Sequence, residues 1–400
     1  MKKNIDELAI FGGKPTFTES LYVGRPNIGN KEKLLQRIGD ILDGRWLTNS
    51  GPCVAEFEQK IAKLIGVKYC IAICNATVAL EIAIRALDMK GEVIVPSFTF
   101  IATAHALQWQ GITPVFCDIE PQSCIIDPEK IESMITKKTS GIIAVDLWGN
   151  TCHIDRITEI ARKHNLPLLF DAAHSFMCSY KGRMVGGFGN AEVFSFHATK
   201  FFNTFEGGAI VTNDDELQKK IRLMKNFGFS GINYDEVIYV GTNGKMNEAS
   251  AAMGLTGLES LQYFIDTNHR NYKAYQEGLR DIHGLELLAF PEAEKRNYHY
   301  VIIRIDEENT KISRDQILDL LHAEKVIARR YFYPGCHQME PYRSLTPQAY
   351  IHLPETEKMA KRVLALPTGT AVSVDDIAKI CQLIKFAVEH QDAIRKKIIQ

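Results

Sequence analysis

The chain has 400 residues and a mass of 45.1 kDa, with 46% hydrophobic and 24% charged residues. This composition is typical of a globular protein with one large and one smaller domain, and it excludes a disordered chain. The 47 Lys and Arg residues against 48 Asp and Glu residues give a net charge of −1, which excludes a basic surface for nucleic acid or an anionic membrane. No apolar run approaches the roughly 18 residues of a membrane span, and acidic residues follow the first lysines where a signal peptide needs an apolar run, so we expect a cytoplasmic protein.

The cysteines favour neither disulfides nor a metal site. There are nine, an odd number, and they form no CxxC pair and no zinc-ligand spacing. We expect them to be reduced, small core residues. Cys152 beside His153 is a tempting metal pair, but it has no further ligands nearby, so we predict no metal site.

The first half of the chain alternates strand and helix patterns, which predicts a mainly parallel sheet covered on both faces. Strands are predicted at 69–74, 92–96, 113–117, 141–147 and 166–171, and helices at 77–87, 101–109 and 155–164. In such sheets, ligands bind at the carboxyl ends of the strands. We therefore expect Asn75 to Thr77, Pro96 to Phe100 and Asp171 to converge on one pocket.

The second part of the chain predicts a smaller α/β domain. The pattern is helical from 248 to about 280, and it continues with a strand at 300–305 and helices at 314–324 and 374–389. We place a large domain with an N-terminal arm at 1–260 and a small C-terminal domain at 261–400.

The segment from Phe194 to Thr212 carries the clearest chemical signal. Lys200 follows an apolar strand, and an environment that disfavours its charge lowers the pKa of an amine, as a nucleophile toward a carbonyl requires. An exposed lysine before a glycine turn is the alternative. A Schiff base with pyridoxal phosphate also needs a carboxylate for the ring nitrogen and a phosphate cradle. Asp171 supplies the first, and Ala76 and Thr77 at a helix start supply the second, with the hydroxyl of Ser195 in addition.

Together these motifs resemble the DegT/DnrJ/EryC1/StrS family of pyridoxal-phosphate-dependent sugar-nucleotide aminotransferases. The similarity extends from the segment at 45–52 to that at 364–367, and it includes 96–100, 171–174 and 195–208 in order. The resemblance implies an aspartate-aminotransferase-like fold of type I. In that fold a mainly parallel seven-stranded sheet lies between helices, and a smaller C-terminal α/β domain follows.

The resemblance also implies roles for individual residues. Lys200 bonds to pyridoxal phosphate and shuttles a proton, and Asp171 pairs with the pyridine nitrogen. Phe100 stacks on the cofactor, whereas Ala76, Thr77 and Ser195 bind its phosphate. His174 lies where many relatives place a polar residue near the cofactor 3′-oxygen, although a capping or core histidine is equally consistent.

Three further segments are less specific. Asn243 resembles the residue that reaches the phosphate of a neighbouring subunit, which implies a homodimer with shared sites, although Gly244 and Lys245 replace the usual aromatic residue and arginine. His197 stands where many relatives have tyrosine, and it contacts the sugar, tunes Lys200 or merely packs. Arg329, Tyr331 and His337 resemble a substrate segment, but structural packing explains the aromatic residues equally well.

The implied reaction is a transamination in which L-glutamate converts the cofactor to pyridoxamine phosphate, which then aminates a nucleotide-linked keto-sugar. Lys200 argues against a related branch of dehydratases that has histidine at this position. The motifs look closest to enzymes acting at C4 of dTDP-4-keto-6-deoxy-D-glucose to give dTDP-4-amino-4,6-dideoxy-D-glucose, a sugar of surface polysaccharides. Amination at C3 of a 3-keto-6-deoxyhexose is the rival, and a non-catalytic regulator that binds the cofactor is the alternative from another class.

Overall fold

The computed structural model describes residues 2–230, 235–345 and 353–399. A seven-stranded sheet forms the centre of the larger part. Its strands, numbered along the chain, are β1 (Tyr69–Ile73), β2 (Glu92–Pro96), β3 (Thr113–Cys117), β4 (Thr139–Val145), β5 (Leu168–Asp171), β6 (Ala191–Ser195) and β7 (Gly208–Thr212).

The strands lie in the order β1-β7-β6-β5-β4-β2-β3. Strand β7 runs antiparallel to both of its neighbours, and every other neighbouring pair is parallel. The carboxyl ends of β1 to β6 and the amino end of β7 therefore meet at one edge of the sheet. Within this edge, Gly208 of β7 pairs with Ile73 of β1 on one side and with Ser195 of β6 on the other.

Helices cover both faces, as the apolar strands predict. They are α1 (Lys31–Gly44), α2 (Pro52–Ile65), α3 (Ala76–Ala86), α4 (Ile101–Gln108), α5 (Ile154–Lys163), α6 (Asp215–Met224), α7 (Glu248–Glu259), α8 (Leu261–Leu279), α9 (Arg314–Ala323), α10 (Val374–Glu389) and α11 (Gln391–Ile399). Successive residues of β4 pack on opposite faces of the sheet: Ile142 packs in a cluster with Ile157 of α5, and Ile143 packs with residues of α3 and α4. This burial on both sides explains why the strands lack polar alternation.

The C-terminal part contains an antiparallel sheet of β8 (Leu285–Leu287), β9 (Val301–Ile305) and β10 (Val363–Leu366). One face of β9 packs on its own core, where Val301 and Ile303 lie with residues of α9 and α10. The other face, with Tyr300 and Ile302, belongs to the cluster that contains Phe170 of β5. The small sheet thus packs directly against the large one, close to its carboxyl edge.

Short elements complete the described chain. They are the strand pairs Leu21–Tyr22 with Val326–Ile327, Ser179–Tyr180 with Arg183–Met184 and Phe229–Ser230 with Glu236–Val237, the short α-helices Pro128–Ile131, Glu307–Thr310, Tyr342–Leu345 and Pro354–Ala360, and the 3-10 turns Ile5–Glu7, Ala9–Phe11, Glu132–Met134 and Cys336–Gln338. The first of these strand pairs joins the N-terminal segment to the C-terminal part, where Leu8, Phe17 and Leu21 enter the core. None of the helices within 2–230, 235–345 and 353–399 has the length and apolar character needed to cross a membrane.

The predicted α/β architecture with a mainly parallel seven-stranded sheet is confirmed. Most element boundaries differ from the prediction by one or two residues, and one predicted helix is divided. The strand predicted at 141–147 spans Thr139–Val145, and the single helix predicted from 248 is two helices that separate at Ser260. Helix α7 packs on α2 whereas α8 packs on α10, so the break follows from tertiary contacts. The domain division at residue 260 stays a prediction.

Candidate active site

Lys200 lies in a turn five residues beyond the end of β6, and its side chain is partly buried. Its Nζ donates a hydrogen bond to the hydroxyl of Tyr300 at 3.1 Å. Burial lowers the pKa of Lys200 from 10.5 to about 8, while the negative charge of Asp171 acts in the opposite direction. Near neutral pH this amine therefore releases its proton much more readily than an exposed lysine does.

Asp171 ends β5 and is only 5% exposed. One carboxylate oxygen accepts a hydrogen bond from the hydroxyl of Thr103 at 2.8 Å, and the other accepts from the backbone N–H of Ala173 at 3.2 Å. Burial raises the pKa of Asp171, and these two donors and the charge of Lys200 oppose that rise. The carboxyl group is thus held in a fixed orientation, and it can accept a hydrogen bond from a protonated ring nitrogen.

The start of α3 offers free hydrogen-bond donors beside β7. Asn75 caps the helix by accepting from the backbone N–H of Val78 at 2.9 Å. The N–H groups of Ala76 and Thr77 have no acceptor among the described residues. A helix N-terminus with unpaired N–H groups favours an anion such as a phosphate.

Gly208 allows β7 to lie close to the start of α3. A Cβ atom at this position would lie 2.8 Å from the backbone nitrogen of Ala76 and 2.9 Å from its Cα atom. Ser195, which pairs with Gly208 in the sheet, is only 8% exposed, and its Oγ accepts a weak hydrogen bond from the N–H of His197 at 3.4 Å. The register of β6, β7 and β1 therefore brings together the three residues that the sequence predicts for phosphate binding.

His174 is buried three residues after Asp171, and burial with the nearby charge of Lys200 lowers its pKa well below the usual value. The neutral ring accepts a hydrogen bond at Nδ1 from the backbone N–H of Trp148 at 3.2 Å. This contact assigns the proton of the neutral ring to Nε2. The ring also packs against Tyr300, with a centroid distance of 4.5 Å.

Phe100 immediately precedes α4 and is 55% exposed. Its ring lies 6.1 Å from that of Phe332. An exposed aromatic ring at the carboxyl edge of the sheet leaves surface available for a flat ligand.

The remaining predicted residues have different surroundings. His197 contacts the hydroxyl of Thr199 through Nδ1 at 2.8 Å and lies 3.3 Å from the carboxylate of Glu206 through Nε2. Both ring nitrogens of His197 are therefore engaged beside the Lys200 turn. Asn243 is exposed, and its backbone bridges to that of Asn226.

The C-terminal segment is divided in the same way. Tyr331 stacks on Phe332 and lies 6.2 Å from the ring of Tyr300, so it approaches the Lys200 region, whereas Arg329 is exposed. His337 is buried elsewhere, where its Nδ1 lies 2.7 Å from Oγ of Ser97. The structure thus brings Tyr331 toward Lys200, and it holds His337 in packing contacts at the end of β2.

Three residues near Lys200 and Asp171 were not predicted from the sequence: Thr103, His299 and Tyr300. Thr103 orients Asp171, and Tyr300 contacts Lys200. Burial and the charge of Lys200 lower the pKa of His299 to about 3, so this ring is neutral. A hydroxyl one turn into the helix after Phe100 was an available signal for Thr103, but the pair His299 and Tyr300 at the start of an apolar strand looks like ordinary core.

A second buried carboxyl lies next to Asp171. Asp146 follows β4 directly, and its N–H donates to the carbonyl of Asp171 at 3.0 Å. One of its carboxylate oxygens accepts from the N–H of Cys152 at 2.8 Å, and the other has no hydrogen-bond partner among the residues that the structure describes. Burial raises the pKa of Asp146 to about 7.

The sequence and the fold of this chain are similar to those of known aminotransferases. The sequence model of the DegT/DnrJ/EryC1/StrS aminotransferase family matches residues 29–385. A dTDP-4-amino-4,6-dideoxy-D-glucose transaminase of Shigella dysenteriae is 37% identical over 366 residues, which are 91% of this chain and 98% of that protein. The Escherichia coli protein of the same name is 34% identical over 371 residues, which are 92% and 98% of the two chains. The crystal structure of DesI with its TDP-sugar product has a TM-score of 0.95 and 45% identity, and the match covers 99% of this chain and 100% of that chain.

Proposed function

Because the chain belongs to the DegT/DnrJ/EryC1/StrS aminotransferase family, we propose that it uses pyridoxal phosphate to move an amino group from L-glutamate to a nucleotide-linked 4-keto-6-deoxyhexose. The substrate that we propose is dTDP-4-keto-6-deoxy-D-glucose, and the product is dTDP-4-amino-4,6-dideoxy-D-glucose. The names of the two curated relatives and the TDP-sugar product of DesI support this choice.

One observation carries the proposal: the carboxyl edge of the sheet combines an amine of lowered pKa, a buried carboxyl and an open anion cradle. Lys200 and Asp171 lie close enough for each to shift the pKa of the other. Gly208 lets the start of α3, with the free N–H groups of Ala76 and Thr77, lie close to β7, and these N–H groups would bind a phosphate. The amine of Lys200 matches the aldehyde of pyridoxal phosphate, the carboxyl group of Asp171 matches its ring nitrogen, and the free N–H groups match its phosphate.

When bound, pyridoxal phosphate supplies an electron-accepting ring that stabilises negative charge at the neighbouring carbon of the amine substrate. Asp171 would hold the proton on the ring nitrogen, and Phe100 would cover the ring. Lys200 would act as the base that moves the proton of the substrate carbon. Its lowered pKa suits this role because a neutral amine is needed near neutral pH.

The neutral His174 carries its proton on Nε2, since Nδ1 accepts from Trp148, and this N–H would be available to the 3′-oxygen of the cofactor. Ser195 adds a hydroxyl to the phosphate cradle. We further propose a homodimer in which Asn243 contacts the phosphate of the partner site, because Asn243 is exposed beside β1.

For the sugar nucleotide, we propose contacts with His197, with Tyr331, whose ring lies 6.2 Å from that of Tyr300, and with the exposed Arg329. For His337 we propose an indirect role: its contact with Ser97 anchors the segment that carries Tyr331. Amination at C3 stays the alternative reaction.

The test is an assay of the purified protein with L-glutamate and each of two substrates, the 4-keto and the 3-keto dTDP-6-deoxyhexose. We expect an amino sugar from the 4-keto compound only, and no turnover by a folded Lys200→Ala variant. Product from the 3-keto sugar alone would refute the C4 assignment. Full turnover by Lys200→Ala would refute the role of Lys200, and a wild-type protein that binds pyridoxal phosphate without any transamination would indicate the regulator.

A further inference from the structure

Tyr300 provides the hydrogen-bond partner of the Lys200 amine. It directly precedes β9 and is only 6% exposed, and its hydroxyl accepts a hydrogen bond from Nζ of Lys200 at 3.1 Å. No other hydrogen bond of this Nζ occurs within the described ranges. The amine is therefore held by one neutral hydroxyl group in a largely apolar pocket.

The backbone before Tyr300 is tied to the large sheet by side chains. Asn297 donates from Nδ2 to the carbonyls of His174 and Phe176, each at 2.9 Å. Arg296 donates to the carbonyl of Ser179 at 2.6 Å. These bonds fix the segment 296–300 against the loop that follows Asp171.

The ring of Tyr300 is also confined. It packs against the ring of His174 at 4.5 Å and against that of His299 at 4.4 Å between centroids. The rings of Tyr300 and Tyr331 are 6.2 Å apart. With aromatic neighbours on several sides, the hydroxyl has little freedom to leave Lys200.

Few charges compete for the amine. The titratable groups that face Lys200 are Asp171, His174, His299 and Tyr300. Both histidines are neutral because their pKa values lie below the usual range, and the pKa of Tyr300 is raised well above its usual value. Among the described residues, Asp171 is thus the one anion whose charge acts on the amine, and each of its oxygens already accepts one hydrogen bond, from Thr103 and from Ala173.

We propose that Tyr300 is a positioning residue for Lys200: its hydroxyl holds the free amine beside the reacting carbon between the two proton transfers. A hydroxyl group suits this task because it accepts from the ammonium form and donates to the neutral amine. The holding of the amine is a property of the protein alone, whereas its catalytic consequence rests on the proposed function.

The first test measures the pKa of Lys200 in protein freed of cofactor, from the pH dependence of its acetylation by limiting acetic anhydride, with mass spectrometry of the Lys200 peptide. The variant is Tyr300→Phe, which removes only the hydroxyl. Both forms of the amine lose a hydrogen bond in this variant, but the loss is larger for the buried ammonium form because hydrogen bonds of charged groups are stronger. We therefore expect the pKa of Lys200 to fall by about one unit. The matched control is Tyr272→Phe, since Tyr272 is equally buried and donates to the carbonyl of Leu288 at 3.0 Å, and we expect it to leave this pKa unchanged.

The second test follows the half-reaction with L-glutamate by the absorbance of the bound cofactor. A misplaced amine slows the proton transfer but not glutamate binding, so we expect the maximal rate of Tyr300→Phe to fall about 10-fold to 100-fold, with the half-saturating glutamate concentration changed less than about two-fold. Tyr272→Phe should match the wild type.

An unchanged Lys200 pKa, or an unchanged maximal rate, would overturn the positioning role. If Tyr300→Phe does not fold, Tyr300→Met also removes the hydroxyl, and we expect the same fall in the Lys200 pKa and in the maximal rate. If the pKa of Lys200 falls in Tyr300→Phe but the wild type does not react with glutamate, the contact between Tyr300 and Lys200 is supported and the proposed function is refuted. Failure of the positioning role and failure of the proposed function are therefore distinguishable.

Discussion

Replacing Lys200 by methionine should stabilise the protein freed of cofactor at neutral pH. Burial lowers the pKa of Lys200 from 10.5 to about 8, which corresponds to about 3 kcal/mol of free energy against the charged form in the folded state. Methionine has a similar length and carries no charge. Loss of the hydrogen bond to Tyr300 offsets about 1 kcal/mol, so we expect the free energy of unfolding at pH 7 to rise by about 2 kcal/mol.

The sign of the pH dependence is fixed by the direction of the pKa shift. Below pH 8 the lysine is protonated in both the folded and the unfolded chain, and the folded state bears the full cost of the buried ammonium group. Between pH 8 and 10.5 the folded chain releases the proton while the unfolded chain keeps it, so wild-type stability contributed by Lys200 rises with pH. The advantage of Lys200→Met should therefore disappear by about pH 10.

The assay is denaturant unfolding of wild type and variant at pH 7 and pH 10, at one protein concentration. The control is Lys219→Met, because Lys219 is exposed and its ammonium group contacts Glu216 at 2.7 Å on the helix surface. We expect this control to change stability by less than about 0.5 kcal/mol at pH 7. A Lys200→Met variant that is less stable than wild type at pH 7, or equally altered at both pH values, would refute the burial cost.

Two further predictions concern the neighbourhood of Lys200. Gly208→Ala would place a Cβ atom 2.8 Å from the backbone nitrogen of Ala76, so the start of α3 must shift. We expect the variant to bind pyridoxal phosphate about 10-fold to 100-fold more weakly when the cofactor-free protein is titrated. The control Gly39→Ala, whose added Cβ has nothing within 4 Å, should not alter binding. Asp146→Asn should raise the melting temperature relative to wild type increasingly between pH 5 and 7, because the buried carboxyl of pKa about 7 keeps a proton that the unfolded chain releases; a difference independent of pH would contradict this.

The sequence predicts those parts of the fold that depend on local pattern. Strands β2 and β3 have the predicted limits, because each is a short apolar run set between turn residues. The division of the helix after Glu248 at Ser260 was missed, since Gly254 and Gly257 lie inside α7 and no glycine or proline stands at the break itself. The break depends on which helices α7 and α8 pack against, and that information is not local.

The same distinction applies to the site. Lys200, Asp171 and the cradle at Ala76 were predicted because each follows a strand or opens a helix, and the topology of a parallel sheet brings such positions to one edge. His337 was assigned to the substrate from its neighbours in the sequence, although its ring is buried against Ser97. Side chains that are close together in the aromatic and basic segment 329–337 can point to different parts of the molecule. Only the packing of that segment shows which of them lie near Lys200.

The contact between Tyr300 and Lys200 shows why the small sheet matters to the chemistry. Tyr300 directly precedes β9. Of the next two residues, Val301 packs in the core of the C-terminal part, and Ile302 packs in the core that is shared with β5. The pleat of a single strand therefore directs Tyr300 toward the large sheet while anchoring it in the small one. A tyrosine before an apolar strand is typical of a core residue, so its sequence environment gives no sign of a partner 100 positions away. If the amine of Lys200 is positioned from the small sheet, loosening of the contact between the two sheets should disturb proton transfer before it disturbs binding of the phosphate, because Ala76, Thr77 and Ser195 lie in or directly beside the large sheet.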